Sequence, residues 1–316
     1  MSGPWPGKPE TLLPGTVSFL RYLVRFSRLA RDADAVVLRG TSGLHEGYVE
    51  LVAALLLKFR RRRPRTVIGD ATWDVTSRRL EDRLSAARPL ARLGARLAIR
   101  AIDGQHIIYG VLSSEELRDF PARWHVAPER VRFVPFCATM SVGRCAEASS
   151  GSYVFAGGDS YRDYDLLVAA AENLDAPVKI ATSWKSSGLL PPNVSVGWLP
   201  KDEYDRALLG ARAVVVPLRA AARSAGQQTY LNAMMLGKPV IVTDVYGVHD
   251  YISDRETGLI TAPDPVALRE ALEWVLDPGN TDDVTRMTER AKQVVNERFL
   301  LKDYFGRLWH LATAEM

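Results

Sequence analysis

The stretch SAGQQTYLNAMMLGKPVIVTDVYGVHDYISDRETGLI, Ser224–Ile260, decides how this chain is read. It follows AVVVPL, Ala213–Leu218, a continuous apolar run rich in β-branched residues that predicts a strand buried on both faces. A loop of small residues comes next, and the pattern opens a helix at about Gln227. Ser224, Ala225, Gly226, Gln227, Gln228 and Thr229 then place several unpaired backbone N–H groups at the positive end of a helix dipole, where a phosphate is stabilised. Gly237 is the residue type that tolerates a left-handed C-terminal cap, and Lys238-Pro239 leads into a second apolar strand, VIVT. Strand, loop, helix, Gly-x-Pro, strand is one βαβ unit, and ligands of such sheets sit at the carboxyl ends of the strands.

Asn232-Ala233-Met234, LGKPVIVT, Tyr246-Gly247-Val248-His249-Asp250 and Glu256-Thr257-Gly258-Leu259 follow one another at spacings that resemble a known pattern. It is close to E-x-F-G-x-x-x-x-E-A-M-A-x-G-x-P-V-I, then G-G-x-x-E, then G-x-x-G-x-L, in the donor-binding half of family-4 glycosyltransferases. The resemblance implies an α/β chain of the GT-B fold, two facing Rossmann-like domains with parallel sheets. Counting along the pattern puts Ser224 at its first glutamate and Asn232 at its second. In the family the second glutamate holds the donor ribose and the first faces the sugar. Asn232 offers an amide for the ribose and Ser224 a hydroxyl, both uncharged.

Upstream, FAGGDSYR, Phe155–Arg162, sits between a strand and the helix DYDLLVAAAENL. Gly157 and Gly158 allow a ligand to approach the backbone. Arg162 stands where the family carries a lysine that pairs with the donor pyrophosphate, a task a guanidinium performs bidentately. Asp163-Tyr164-Asp165 spells a D-x-D, but a helix start predicts capping by Asp163, and the family needs no metal. Arg219 and Arg223 flank the loop and are candidates to neutralise a diphosphate. Asp250 aligns with the glutamate of G-G-x-x-E and is a candidate catalytic residue, expected to bind the sugar or acceptor hydroxyls, with N-capping of a helix before YISD as the alternative.

The first half resembles the family less. ADAVVLRG, a helix over Tyr48–Phe59, TVIGD and HIIYGV give a parallel αβαβ run, and SSEEL starts another helix. Ser113, Leu117, Val126 and Val131–Pro135 fit the family's last N-terminal segment. The family's opening strand and Gly-rich loop have no counterpart before Val17, so the N-terminal half is abbreviated. Asp70 ends TVIGD where the family often places a histidine beside the transferred sugar. Asp70, with Trp73 and Asp74, and His45 in the preceding loop are the candidate catalytic residues of this half, against the alternative of loop caps. His106, His125 and His310 are expected in the core or on the surface.

These segments divide the chain into residues 1–140, an acceptor-side domain, and 148–300, a donor-binding domain read as βαβαβαβα. A linker runs over about Cys137–Ser152, and the last helix, within 301–316, is expected to cross back onto the first domain. A length of 316 residues suits two domains, and 47% hydrophobic with 25% charged residues excludes neither half from forming a core. No apolar run approaches the ~20 residues of a membrane span, and MSGPWPGKPE lacks a signal-peptide layout, so a cytoplasmic location is expected. Cys137 and Cys145 are expected to be free thiols.

A net charge of +4 is concentrated in the first hundred residues. FRRRRPR spans Phe59–Arg65, and Arg92, Arg96 and Arg100 recur four apart in a basic amphipathic helix over Arg78–Arg100. Two readings stand: peripheral contact with an anionic membrane surface or a lipid-linked acceptor, and a solvated helix face. Nucleic acid is not expected, since no aromatic-interleaved basic surface accompanies the charge. What the resemblance implies is transfer of a sugar from a UDP- or GDP-sugar to a small-molecule, glycan or lipid-linked acceptor, with retention, without metal and without a resident cofactor. The alternative is a non-catalytic nucleotide-sugar-binding partner or regulatory subunit of the same fold. A sugar-nucleotide epimerase would need clustered acid and base residues that the sequence does not show.

Overall fold

A computed structural model describes residues 12–40, 49–71, 73, 88–140 and 151–314. The chain divides into two compact units, Met1–Val134 with Phe305–Met316, and Pro135–Tyr304.

In the first unit, helix α1 (Leu12–Leu29) precedes strand β1 (Ala35–Arg39), α2 (Val49–Lys58), β2 (Arg65–Gly69), α3 (Arg88–Ile102), β3 (Ile107–Val111), α4 (Ser114–Trp124) and β4 (Val131–Phe133). Helix α1 starts at Leu12 with Pro14 in its first turn, where a missing N–H costs nothing. The expected basic helix over Arg78–Arg100 is helical from Arg88, and its earlier part lies outside the described residues. The four strands form one parallel sheet in the order β1-β2-β3-β4, each added to the same edge. Leu38, Ile68, Ile107, Tyr109 and Val131 are buried with Trp73, Phe120 and Trp124. Helix α4 begins as its sequence dictates: Ser113 Oγ accepts from Glu116 N, and Glu116 Oε2 accepts from Leu112 N.

The second unit contains β5 (Val154–Gly157), α5 (Tyr164–Ala171), β6 (Val178–Ala181), β7 (Val194–Gly197), α6 (Lys201–Leu209), β8 (Ala213–Val216), α7 (Gln227–Met235), β9 (Val240–Thr243), β10 (Leu259–Thr261), α8 (Pro265–Leu276) and α9 (Thr281–Arg298). The last helix, α10 (Leu301–Thr313), starts here and continues into the first unit. All six strands are parallel, in the order β10-β9-β8-β5-β6-β7. Alternation along the strands sends Phe155, Val214, Val216 and Val242 to one core and Val154, Ala156, Val215 and Ile241 to the other.

The expected βαβαβαβα pattern is corrected at two places. Between β6 and β7, and between β9 and β10, the chain crosses over without a helix. Ser186, Ser187, Gly188, Pro191 and Pro192 leave the first crossover no helical run, and Asn193 Nδ2 pins it to the carbonyls of Ala171, Leu174 and Ala176 at 3.0, 3.0 and 3.2 Å. The second is an irregular loop held by buried Val248, Tyr251 and Ile252. No helix follows Asp250, so it caps none.

Candidate functional site

Strand order in the second unit reverses between β5 and β8, and the crevice at such a reversal is where open α/β sheets take ligands. The segments leaving those two strands are stitched together. Arg219 N donates to Tyr161 O at 2.8 Å, Asp163 N to Pro217 O at 2.8 Å, and Arg162 forms an antiparallel bridge with Leu218. From β8 the chain passes Ser224 and Ala225, both buried, to Gly226, which stands at φ +87° immediately before α7. A Cβ at Gly226 would lie 3.0 Å from Val216 Cγ1 and 3.3 Å from Leu218, so the backbone conformation favours glycine and the packing leaves a side chain little room. Helix α7 ends in a Schellman cap, with Gly237 at φ +67°, Gly237 N donating to Met234 O and Lys238 N to Ala233 O.

Arg162 is 6% exposed. Its Nε donates to Gly157 O at 3.1 Å, Nη1 to Ser160 O at 2.7 Å and Nη2 to Thr229 Oγ1 in the first turn of α7 at 3.0 Å. No carboxylate among the described residues lies within salt-bridge distance of it, and burial pulls its pKa below the ordinary arginine value. Two of its five N–H groups remain beyond those bonds. A buried cation held only by neutral oxygens is costly, and here it is fixed beside the N-terminus of a helix. Gln227, in the same first turn, is 5% exposed with a buried Nε2 that has no hydrogen-bond partner.

Several candidate residues are turned to other work. Gly157 does not open the backbone to a ligand: a Cβ there would meet the Tyr204 ring at 2.5 Å, so the glycine makes room for that ring. Gly158, at φ +101°, lies under the Arg162 guanidinium, and its carbonyl accepts from the Tyr164 hydroxyl. Ser224 is 1% exposed, so its hydroxyl points into the protein. Asn232 Oδ1 accepts from Thr139 N at 2.8 Å and Met140 N at 3.1 Å, while Nδ2 donates to Thr139 Oγ1 at 3.2 Å. Its oxygen is thus committed to the backbone that enters this unit, and Gln228 Nε2 joins it on Thr139 Oγ1 at 2.9 Å. Asp163 accepts from Leu166 N and caps α5, as its position at a helix start dictates. Arg219 faces Asp163 and Asp165 at 3.5 and 3.1 Å, so it neutralises the D-x-D instead of standing free for a phosphate. Arg223 lies with its guanidinium carbon 5.2 Å from the Tyr161 ring centre.

Asp70, at the end of β2 in the first unit, is buried with φ +57°, a left-handed conformation that a non-glycine residue adopts under constraint. Trp73 packs beside Tyr109, Phe120 and Trp124. His45, Asp74 and Cys145 lie outside the described residues, and Cys137 is buried and forms no disulfide. Sequence reasoning passed over two features at the carboxyl ends of the second sheet. Asp159 Oδ1 accepts from Thr182 Oγ1, Ser183 N and Ser183 Oγ at 2.6, 2.9 and 3.1 Å, tying the ends of β5 and β6 together. Trp198, one residue after β7, is 69% exposed. An aromatic placed directly after a strand and before a Leu-Pro helix start was the available signal.

Residues 159–278 match the family model of glycosyl transferases group 1. No curated protein matches the chain. Among solved structures, the chain is similar to a glycosyltransferase from Rickettsia africae, with 11% identity, a TM-score of 0.62, and 97% of this chain and 84% of that one covered. It is also similar to Anabaena Alr3699/HepE in complex with UDP-glucose, at 12% identity, TM-score 0.67 and 93% and 82% coverage. WaaG, a glycosyltransferase involved in lipopolysaccharide biosynthesis, matches at 15% identity, TM-score 0.61 and 94% and 96% coverage. The fold is that of the GT-B glycosyltransferases, with a parallel sheet of four strands in one unit and of six in the other.

Proposed function

We propose that this chain is a glycosyltransferase that takes a UDP- or GDP-sugar on its second unit and moves the sugar to an acceptor recognised by the first. The observation that carries it is Arg162, buried without a carboxylate partner among the described residues and bonded to Thr229 at the N-terminus of α7. A diphosphate is the ligand whose charge this position fits. As the bond to the sugar breaks, charge grows on the leaving diphosphate, and the α7 amides with Arg162 stabilise it without reorganising. Trp198 offers a face for the base, and Asp70, held in its left-handed conformation, is the candidate group on the acceptor side. Retention follows from the family resemblance. The family match and the UDP-glucose complex of a structural neighbour support sugar-nucleotide use.

Phosphate neutralisation assigned to Arg162 and backbone amides needs no divalent ion, since Asp163 and Asp165 are engaged by Arg219. Thermal shifts with UDP and GDP, each with and without EDTA, test this: stabilisation by one nucleotide in EDTA is expected, and strict dependence on a divalent ion would sink the assignment.

A second reading is favoured by one observation, that neither Ser224 nor Asn232 brings a carboxylate to the sugar. It is a non-catalytic nucleotide-sugar-binding partner. Nucleotide release measured with and without a panel of acceptors separates the two. On the first unit, Leu93 and Leu97 are 53% and 56% exposed beside exposed Arg96 and Arg100 on α3. Leu20 and Val24 stand in the same way beside Arg21 and Arg25 on α1. These faces support peripheral contact with an anionic membrane surface from the cytoplasmic side. Salt-sensitive co-sedimentation with anionic vesicles is the expected result, and no binding at low salt leaves a solvated face.

A further inference from the structure

The α7 segment leaves the sugar end of the proposed site without an accessible carboxylate, but the neighbouring strand supplies one. Asp244 follows β9 directly, with its side chain 54% exposed and Oδ1 2.9 Å from Nε2 of His249, itself 65% exposed. The strand they leave is locked to the cradle segment: Leu218 N donates to Thr243 Oγ1 at 2.6 Å, and that hydroxyl donates back to Leu218 O at 2.9 Å. Asp244 N donates to Thr261 O at 2.7 Å, and Val248, Tyr251 and Ile252 anchor the loop in the core at 3% exposure or less. An exposed imidazole–carboxylate pair is thus presented by a fixed loop at the carboxyl end of the strand next to the proposed diphosphate site.

We propose that Asp244 and His249 recognise the hydroxyls of the transferred sugar, in place of the glutamate whose position Ser224 occupies. This rests on the nucleotide-sugar reading above. A carboxylate only accepts hydrogen bonds, so in the neutral imidazole Nε2 carries the proton shared with Asp244 and Nδ1 is an acceptor. The pair therefore turns two acceptors outward, Oδ2 of Asp244 and Nδ1 of His249, a match for adjacent hydroxyls of a pyranose. A diphosphate, which has no donors, gains nothing from them. The pair discriminates between sugars and leaves nucleotide affinity untouched.

Calorimetry with UDP, GDP, UDP-glucose and GDP-mannose on the parent, His249→Ala, His249→Gln and Asp244→Asn decides it, with circular dichroism showing that each variant folds. Nucleoside diphosphate affinity within twofold of the parent is expected in all variants. Sugar-nucleotide affinity is expected to fall about tenfold in His249→Ala and Asp244→Asn, the scale of one lost hydrogen bond to a charged group, with partial recovery in His249→Gln. Sugar-nucleotide affinity unchanged in both variants, or equal losses for both ligand types, overturns the assignment. A parent protein that binds none of the four overturns the nucleotide-sugar reading itself, and the pair's role falls with it.

Discussion

The two sheets of this chain are both parallel, yet only one contains a reversal. In the first unit β1 to β4 add one after another to the same edge, while in the second the chain starts in the middle at β5, builds one way to β7 and returns to build the other way from β8 to β10. The strand order reverses between β5 and β8, the position at which open α/β sheets take ligands. The contrast repeats in two arginines. Arg130 of the first unit meets both carboxylate oxygens of Asp103, the second at 2.8 Å, in a network shared with Tyr109. Arg162 of the second unit is more deeply buried and meets only carbonyls and a hydroxyl. Paired charge marks architecture here, and the proposed diphosphate site falls where a buried guanidinium has no carboxylate partner among the described residues.

The hardest blow to that comparison would come through Gly226. Gly226→Val forces a β-branched residue into φ +87° and drives its Cβ to 3.0 Å from Val216 Cγ1. Loss of measurable nucleoside diphosphate binding is expected, with a fold that survives at reduced Tm. Circular dichroism melts and calorimetry check both halves. A variant that binds like the parent would put the cradle elsewhere and dissolve the difference between the two sheets.

The arginines make a matched pair of tests. Arg162→Met relieves the burial of a guanidinium but takes a donor from the Gly157 and Ser160 carbonyls and the Thr229 hydroxyl, so a small stability loss, about 1 kcal/mol, is expected. It should lower nucleoside diphosphate affinity by about a hundredfold, roughly the 2–3 kcal/mol of a charge-assisted contact. Arg130→Met should do the reverse. It leaves the part-buried Asp103 carboxylate with the Tyr109 hydroxyl but no cation, so a loss of about 2–4 kcal/mol in unfolding free energy is expected, with nucleotide affinity unchanged. Chemical denaturation alongside calorimetry reads both. If Arg162→Met destabilised the protein by as much and left affinity alone, Arg162 would be architecture like Arg130.

What the sequence could reveal follows from how local each feature is. Ala35–Arg39 and Val240–Thr243 were legible to the residue because continuous β-branched runs have one reading in a parallel sheet. The left-handed cap at Gly237 was legible because the glycine, lysine and proline that make it are adjacent. Side-chain direction was not. Gly157 is explained only by Tyr204, 47 positions away by number, and the amide of Asn232 only by Thr139, 93 residues distant. The inward turn of Arg162 depends on Thr229, 67 residues on. The helix-free crossovers were missed because absent periodicity is a weaker signal than a present one. The motif thus located the strand, loop and helix on which the proposed cradle is built, and tertiary contacts decided which of its residues remain available.

Asn232 gives the smallest expected effect on binding and the sharpest division of labour within α7. One face of the helix carries Thr229 toward Arg162, and another carries Gln228 and Asn232 toward Thr139. Asn232→Ala would remove one acceptor shared by two backbone N–H groups and one donor, leaving the Thr139 and Met140 amides to find water or stay unpaired. A stability loss of about 1–3 kcal/mol is expected from that. Nucleotide affinity should stay within about threefold, because the lost bonds go to Thr139 and Met140 and none goes to Arg162 or Thr229. Asn232→Asp keeps the acceptor and lets the Thr139 hydroxyl donate in turn, so it should recover most of the stability. Were Asn232→Ala to weaken nucleotide binding tenfold with no change in Tm, the amide would be a ribose contact after all, and the helix would present a single ligand-facing surface instead of two.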